Sequence, residues 1–283
     1  MRLNAYVLAG DPAWIEQSVA SYYPLVDRII VSFDRNHRSW SGQPLSVAES
    51  LARLEAVDPD GKVVLLPGDH ADLSRPTLDT ETEQRQFALD AASDGADWVI
   101  QLDSDEIIPS PGVFLRFVGV AESHGAASLD FPSRWFYARS PSGVFLEACG
   151  RWWTSLATYP GPLAVHAGTR LTHARQASTT PLYRVDVAPW NTDPAHPRMA
   201  PVHATIRPHD AVIHLSWVRT PEQMAEKRVV SGYAASQDWD VAISRWSWRS
   251  RHPLLTTLAT PFAQDPTQRF RRASLHAFRD ITP

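Results

Sequence analysis

The first 110 residues alternate between short apolar runs and amphipathic stretches. Four apolar runs predict β-strands at residues 3–8, 26–33, 62–66 and 98–102. The stretches between them predict helices at residues 12–22, 45–57 and 80–94, the first with Asp11 as N-cap and Pro12 at its first position. Strands that alternate with helices are typical of βαβ units. The pattern therefore predicts an α/β fold with a Rossmann-like, mostly parallel sheet covered by helices on both faces.

The third of these helices has the strongest pattern. It places Phe87, Ala88, Ala91 and Ala92 on one face, which is expected to pack against the sheet.

This alternation lapses after residue 110. Residues 126–136 predict a strand bent at Phe131-Pro132, and residues 137–210 predict irregular structure with short strands. A short apolar strand is expected at 211–215. A helix is expected at 221–235, with Thr220 as N-cap and Gln223 in the capping-box position. Because neither a repeat nor a low-complexity linker interrupts the chain, we expect one continuous domain with an elaborated C-terminal half.

Acidic residues follow the predicted strands, at the edge where open α/β sheets bind ligands. They are Asp11, Asp34, Asp69, Asp103 and Asp105. The chain contains three Asp-x-Asp triplets, but only Asp103-Ser104-Asp105 follows a buried strand that itself follows a strong helix. Paired carboxylates suit Mg²⁺ or Mn²⁺, which complete their coordination with substrate phosphates. The alternative is a solvated turn in which Asp103 caps a short helix.

Residues 97–106, Asp-Trp-Val-Ile-Gln-Leu-Asp-Ser-Asp-Glu, preceded by Arg-Gln-Phe-Ala-Leu at 85–89, resemble the core of family 2-like glycosyltransferases of the GT-A fold. The opening segment through residue 31 is similar to their first βαβ unit. The resemblance covers residues 4–110 and, more faintly, 205–230. It implies a donor-binding region at 1–110 and an acceptor-binding region with C-terminal helices at 111–283.

The resemblance also implies roles for individual residues. Ala9, Gly10 and Asp34 would line the nucleotide base and ribose. Asp103 would face the ribose and the waters of the metal, and Asp105 would bind the metal that bridges the donor diphosphate.

On the same grounds His214 would be a further metal or diphosphate ligand, and Arg85 and Lys227 are candidate diphosphate contacts. Two of these assignments have ordinary alternatives. A lone histidine is often a core or surface residue, and Arg85 could pair with Glu81 on a solvated helix face.

An inverting transferase also needs a general base beside the acceptor hydroxyl. Glu147, in the aromatic middle segment, is the first candidate, and Asp210, before the His214 strand, is the second. The Glu-Asp pair with which many family 2 enzymes supply this base is absent from the expected position, so inversion does not follow from the resemblance.

Charge and tryptophan divide the chain unequally. Residues 1–130 carry a net charge of −12 and residues 131–283 a net charge of +8, and eight of the eleven Trp follow residue 130. The segments at 245–251 and 269–272 mix arginines with aromatic residues, which suits an anionic membrane surface, a phosphorylated acceptor or single-stranded nucleic acid. The expected acceptor is a carbohydrate, a lipid-linked molecule or another small molecule. Nucleic acid is not expected as a partner, because the net charge of the chain is −4.

The remaining composition narrows the class of protein. The single Cys149 cannot form an internal disulfide, and no apolar run is long enough for a membrane span, so we expect a cytoplasmic protein that is peripheral to the membrane at most.

The leading hypothesis is a metal-dependent glycosyltransferase that uses a nucleotide-diphosphate sugar. The alternatives are a sugar-phosphate nucleotidylyltransferase, or a nucleotide- or carbohydrate-binding protein without turnover. The GxSxG and HExxH patterns of hydrolases are absent.

Overall fold

A computed structural model describes residues 1–177, 181–230 and 238–275. The strands are β1 (Leu3–Leu8), β2 (Ile29–Asp34), β3 (Val63–Gly68), β4 (Trp98–Gln101), β5 (Glu106–Ile107), β6 (Ser128–Asp130), β7 (Ser133–Arg139), β8 (Phe145–Ala148), β9 (Ala164–His166), β10 (Leu171–His173), β11 (Gln176–Ala177), β12 (Leu182–Asp186), β13 (Ala204–Thr205), β14 (Val212–His214) and β15 (Phe270–Ala273). The α-helices are α1 (Ile15–Tyr22), α2 (Val47–Glu55), α3 (Thr77–Ala92), α4 (Pro111–Ser123), α5 (Pro221–Val230), α6 (Trp239–Arg251) and α7 (Pro253–Ala259).

The main sheet has eight strands in the order β13-β12-β6-β9-β4-β1-β2-β3. All neighbouring pairs are parallel except those of β9, which runs antiparallel to β4 and β6. The predicted α/β class with a mostly parallel, Rossmann-like sheet is therefore confirmed. The central strands β4, β1 and β2 all end at the same edge, which is where the acidic residues follow.

Helices cover both faces of this sheet because the side chains of β1 alternate between two cores. Ala5 and Val7 pack with α1 and α4 on one face, while Tyr6 packs with Ala88 and Leu89 of α3 on the other. The central strands are buried on both sides, which explains why their sequences are continuous apolar runs.

A second sheet, in the order β15-β8-β7-β14-β5, lies beyond the carboxyl edge of β4. Its strand β5 follows directly after the Asp103–Asp105 turn, and β14 pairs with it in antiparallel register, so that His214 lies opposite Glu106. This pairing brings residues that are about a hundred positions apart to the same edge.

The predicted elements of the first half are all present, with shifted ends. Helix α1 begins at Ile15 and not at Pro12, because the indole of Trp14 is buried and donates to the carbonyl oxygen of Val218, and its backbone is not helical. Asp11 accepts a hydrogen bond from the N–H of Ala13 and so closes a turn before the helix. Phe87, expected on the buried face of α3, is 44% exposed, whereas Ala88 and Ala92 are buried as expected.

The second half departs further from the sequence expectation. The single strand expected at 126–136 is two strands, β6 and β7, which belong to different sheets, and the chain passes between the sheets at Phe131-Pro132. The helix expected at 221–235 is described as far as Val230, and the rest of that range lies outside the described residues. Its capping box is present: Thr220 and Gln223 exchange backbone-to-side-chain hydrogen bonds of 2.9 and 3.2 Å.

Candidate functional site

A cavity of about 1000 Å³ opens at the carboxyl ends of β1, β2 and β4. All eight residues to which the resemblance gave a donor-side or metal-binding role line it: Ala9, Gly10, Asp34, Arg85, Asp103, Asp105, His214 and Lys227. The sheet edge and the return of β14 therefore place the donor-side candidates in one cavity.

Glu106 fixes the conformation of the acidic turn Asp103–Asp105 that follows β4. Glu106 is fully buried and accepts the backbone N–H of Asp103 at 3.1 Å. Arg175 holds the same carboxylate with two guanidinium nitrogens, Nη1 and Nη2, the latter at 2.7 Å. Glu106 is thus a positioning residue that sets the turn, while the Asp103 side chain stays 28% exposed toward the cavity.

The backbone at Gly161 packs directly against the backbone of Arg175. A Cβ on Gly161 would lie 2.8 Å from the carbonyl oxygen of Arg175, so only glycine fits there. Arg175 also donates to the carbonyl oxygen of Gln101 at 3.1 Å, which ties it to the end of β4.

Asp103 faces two cations. Its Oδ1 lies 2.8 Å from Nη1 of Arg85, and its Oδ2 lies 3.6 Å from Nη1 of Arg175. Burial by itself would raise the pKa of Asp103, but the charges of Arg85 and Arg175 outweigh it and hold the pKa well below its usual range. Arg85 also pairs with Glu81 at 2.9 Å, so the ordinary helix pair and the cavity contact coexist.

Asp105 divides its two oxygens between a cation and a histidine. Its Oδ2 lies 3.1 Å from Nη2 of Arg219, which also pairs with Asp11 at 2.6 Å. Its Oδ1 lies 3.6 Å from Nε2 of His214, too far for a hydrogen bond. One carboxylate oxygen and one imidazole nitrogen therefore face each other at the cavity without a direct bond.

One further cation contributes to the charge of this site. Lys227, on α5, lines the cavity, and burial together with the nearby charge of Arg219 lowers its pKa. The pKa of Asp11 is also lowered: burial would raise it, and the charges of Arg219 and Lys227 outweigh that effect. Carboxylates and cations are thus close to balanced around the turn.

Asp34 lines the cavity, and both of its carboxylate oxygens accept hydrogen bonds from backbone N–H groups. Its Oδ1 accepts the backbone N–H groups of Asn36 and Arg38, and its Oδ2 accepts those of His70 and Ala71. These four bonds lower its pKa against the effect of burial. With both oxygens occupied, Asp34 organises two loops at the cavity wall.

The two candidate bases do not line the cavity. Glu147 is fully buried in β8, where Arg134 and Arg271 donate four hydrogen bonds of 2.7 to 3.0 Å to its two oxygens. Asp210 accepts a hydrogen bond from the hydroxyl of Ser110 at 2.6 Å. Because neither carboxylate borders the cavity that holds Asp103 and Asp105, neither base assignment is retained.

Sequence reasoning did not identify four residues that line this cavity, Arg175, Arg219, Trp40 and Glu226. Trp40 lies in the loop after β2 and donates its indole N–H to Gln84 at 2.7 Å. Arg219 follows the His214 strand by five residues, and this proximity was the one available signal. Arg175 lies in the segment that has no periodic pattern, and nothing in the sequence marks it.

Among the residues that the structure describes, no group of three or more His, Cys, Asp and Glu side chains is arranged to hold a metal ion. The same part of the chain contains no helix long and apolar enough to cross a membrane.

Comparisons with known proteins leave the family open. No family model matches the sequence, and no curated protein matches it. Among solved structures, 4-diphosphocytidyl-2C-methyl-D-erythritol synthase from Anaerococcus prevotii is similar with a TM-score of 0.34 and 11% identity, over 59% of this chain and 71% of that chain. Mannose-6-phosphate isomerase from Helicobacter pylori is similar with a TM-score of 0.29 and 14% identity, over 51% and 58%. Likeness at this level carries no argument about activity.

Proposed function

We propose that this protein is a glycosyltransferase that uses a nucleotide-diphosphate sugar together with a divalent cation. The observation that carries the proposal is the Asp105–His214 pair, which lies in one cavity with the cations Arg85 and Lys227 at the carboxyl edge of the sheet. The cavity of about 1000 Å³ is at the upper end of the range of about 300–1000 Å³ that is usual for small-molecule sites. An extended ligand such as a nucleotide sugar suits that size.

The residues present fit a Mg²⁺ or Mn²⁺ ion with only partial protein coordination. Asp105 Oδ1 and His214 Nε2, 3.6 Å apart, offer one hard oxygen donor and one imidazole donor. Two protein ligands leave positions for diphosphate oxygens and water, which is how such cations are commonly held at phosphate sites. When bound, the ion would neutralise charge on the departing nucleoside diphosphate.

The protein's own cations would share that task. Arg85 is held by Glu81 and Asp103, and Lys227 lines the cavity on α5, so both can meet diphosphate oxygens without leaving their helices. A pre-positioned cation stabilises developing charge more effectively than one that must be ordered during the reaction. Arg219 would hold Asp11 and Asp105 in place and acts as a positioning residue.

For the nucleoside we propose the wall formed by Ala9, Gly10 and Trp40. Ala9 and Gly10 follow β1 and have no bulky side chain, which permits close approach of a ligand to the backbone. Trp40 supplies a flat aromatic surface beside them. Asp34 would act indirectly, because it fixes the loop that carries Trp40.

We propose Glu226 of α5 as the general base in place of Glu147 and Asp210. It is exposed, it lines the cavity, and within the described part of the chain no cation lies within ion-pair distance of it. The other acids of the cavity are held by arginines or by backbone N–H groups. A carboxylate without such partners is free to take a proton from an acceptor hydroxyl.

The first experiment is isothermal titration with UDP and GDP, with and without Mn²⁺, followed by assays of sugar transfer from labelled donors. We expect binding of one nucleoside diphosphate that strengthens when the metal is added. Absence of metal-dependent binding to any nucleoside diphosphate overturns the proposal. Loss of transfer with retained donor binding in Glu226→Gln, compared with Glu222→Gln on the same helix, would support the base assignment.

Two other outcomes identify the alternatives. Release of pyrophosphate from a nucleoside triphosphate and a sugar 1-phosphate would indicate a nucleotidylyltransferase. Tight nucleotide binding without sugar release from any donor, across a panel of acceptors, would indicate a binding protein that lacks turnover.

A further inference from the structure

Helix α7 and the 3₁₀ turn after it, Thr260–Phe262, reverse the usual arrangement of polar and apolar side chains. The polar Thr256 and Thr260 face inward and hydrogen-bond to backbone carbonyl oxygens, those of His252 and Phe270. The large apolar side chains face outward. Leu254, Leu255, Leu258 and Phe262 are 52%, 53%, 56% and 84% exposed. We call these four residues the α7 face.

Exposed tryptophans flank the α7 face on two sides. Trp152 is 67% exposed, and the loop that carries it is fastened to α7 by the indole of its neighbour Trp153, which donates to the carbonyl oxygen of Thr257 at 3.0 Å. Trp248 is half exposed and stacks on His252, the residue before α7. Large apolar side chains are therefore concentrated in one region, whereas those of a monomeric surface are usually scattered singly.

Arginines lie close to this apolar region in the chain. Residues 241–275 contain six Arg and one Asp, and one of the six, Arg271, is paired with Glu147. Arg245 and Arg249 donate to the amide oxygen of Gln268, Arg251 donates to the carbonyl oxygen and hydroxyl of Ser247, and Arg269 donates to backbone carbonyl oxygens. The acceptors of these hydrogen bonds are uncharged, so the positive charge around the α7 face is not cancelled by them.

We propose that the α7 face is a docking surface for an anionic phospholipid bilayer. Apolar side chains that insert at the headgroup boundary, together with arginines at their margin, form the pattern by which peripheral proteins hold such membranes. Charge complementarity favours this occupant over a second copy of the chain, because two copies of the same cationic surface repel each other. The proposal is independent of the enzymatic one.

The test is co-sedimentation of the full chain with vesicles of phosphatidylcholine alone and of phosphatidylcholine containing phosphatidylglycerol. We expect binding to the anionic vesicles that weakens with added salt, and little binding to the neutral ones. The double variant Leu254→Ser/Leu258→Ser should reduce the partition coefficient about tenfold. The double variant Arg245→Gln/Arg251→Gln should reduce it by a similar factor of about ten.

Matched controls use exposed residues elsewhere in the chain. Leu65→Ser/Leu73→Ser and Arg170→Gln/Arg198→Gln remove the same groups outside the α7 face and should leave vesicle binding unchanged. All changed side chains are exposed, and circular dichroism verifies that each variant is folded.

Equal reduction in patch and control variants, or wild-type binding that does not distinguish anionic from neutral vesicles, overturns the proposal. Light scattering adds a further outcome. A wild-type dimer that Leu254→Ser/Leu258→Ser converts to a monomer would assign the face to a second copy and would also overturn it.

Discussion

This protein contains two clusters of carboxylates and arginines that are alike in composition. They differ in whether a carboxylate oxygen remains available to bind a ligand. In the cavity, Asp11 and Asp105 share the guanidinium of Arg219. In the second sheet, Glu147 is held between Arg134 and Arg271. Each cluster joins residues distant in sequence, and each holds its carboxylates in ion pairs.

The two clusters differ in how many hydrogen bonds their carboxylate oxygens already accept. Both oxygens of Glu147 accept two N–H groups each, and the side chain is fully buried, so the cluster is saturated. Asp105 keeps Oδ1 unbonded toward His214, and the Asp11 side chain is 37% exposed. A saturated buried carboxylate stabilises the fold, whereas one with an open oxygen at a cavity can bind a ligand. The following experiments test that contrast.

The largest expected effect is on ligand binding at the open cluster. Asp105→Asn removes a charged oxygen from the Asp105–His214 pair, so nucleoside diphosphate affinity in the presence of Mn²⁺ should fall about 10²- to 10³-fold. Titration calorimetry measures this. Asp210→Asn, which changes a carboxylate outside the cavity, is the control and should bind as the wild type does. Equal affinities in the two variants would remove Asp105 from the site.

The next effect is on stability at the saturated cluster. Glu147→Gln leaves two arginines with a neutral partner in a buried position and should lower the free energy of unfolding by about 3 kcal/mol. Denaturant unfolding measures it, and nucleotide binding of the folded variant should not change. Loss of turnover without loss of stability would instead restore Glu147 as a catalytic candidate.

The pH dependence of Glu147 has a definite sign. Burial would raise its pKa, but the hydrogen bonds from Arg134 and Arg271 lower it. Its contribution is therefore present above the unfolded pKa, about 4.3, and is lost as the pH falls through the lower folded pKa. In Glu147→Gln the fall in stability below about pH 4 should be shallower than in the wild type.

A smaller effect is expected from Arg219→Gln. The pKa of Asp11 is lowered because the charge of Arg219 outweighs burial, so removal of that charge should raise it. Titration of the Asp11 carboxyl by NMR measures the shift, and Arg228→Gln, which changes an exposed arginine on α5, is the control. An unchanged Asp11 pKa would show that Lys227 and the Ala13 N–H carry the effect.

The smallest expected change is in the thiol beside the saturated cluster. Cys149 is fully buried, and burial raises its pKa to about 11, so a thiol reagent at pH 8 should not label the folded protein. Glu147→Gln should accelerate labelling of Cys149 in proportion to the stability that it removes. Asp105→Asn should leave the labelling rate unchanged. Rapid labelling of the wild type would show that this region opens locally.

The sequence determined the α/β class and the donor-side candidates for a local reason. Each parallel strand and the acid that follows it are adjacent in the chain, as in β4 and Asp103, so hydrophobic runs and the residues after them suffice to place a group at the sheet edge. The resemblance added His214 and Lys227, which the structure places in the same cavity.

Only the tertiary structure decided which carboxylates are saturated. The sequence shows Glu147 and Asp105 only as two acidic residues and does not show which of them is held by arginines on both oxygens. What separates them is the antiparallel pairing of β8 with β7 and β15, which sets Arg134 and Arg271 around Glu147, and the pairing of β14 with β5, which leaves Asp105 facing His214. Partners 13 to 124 residues away in the chain complete the Glu147 cluster, and no local pattern records such contacts.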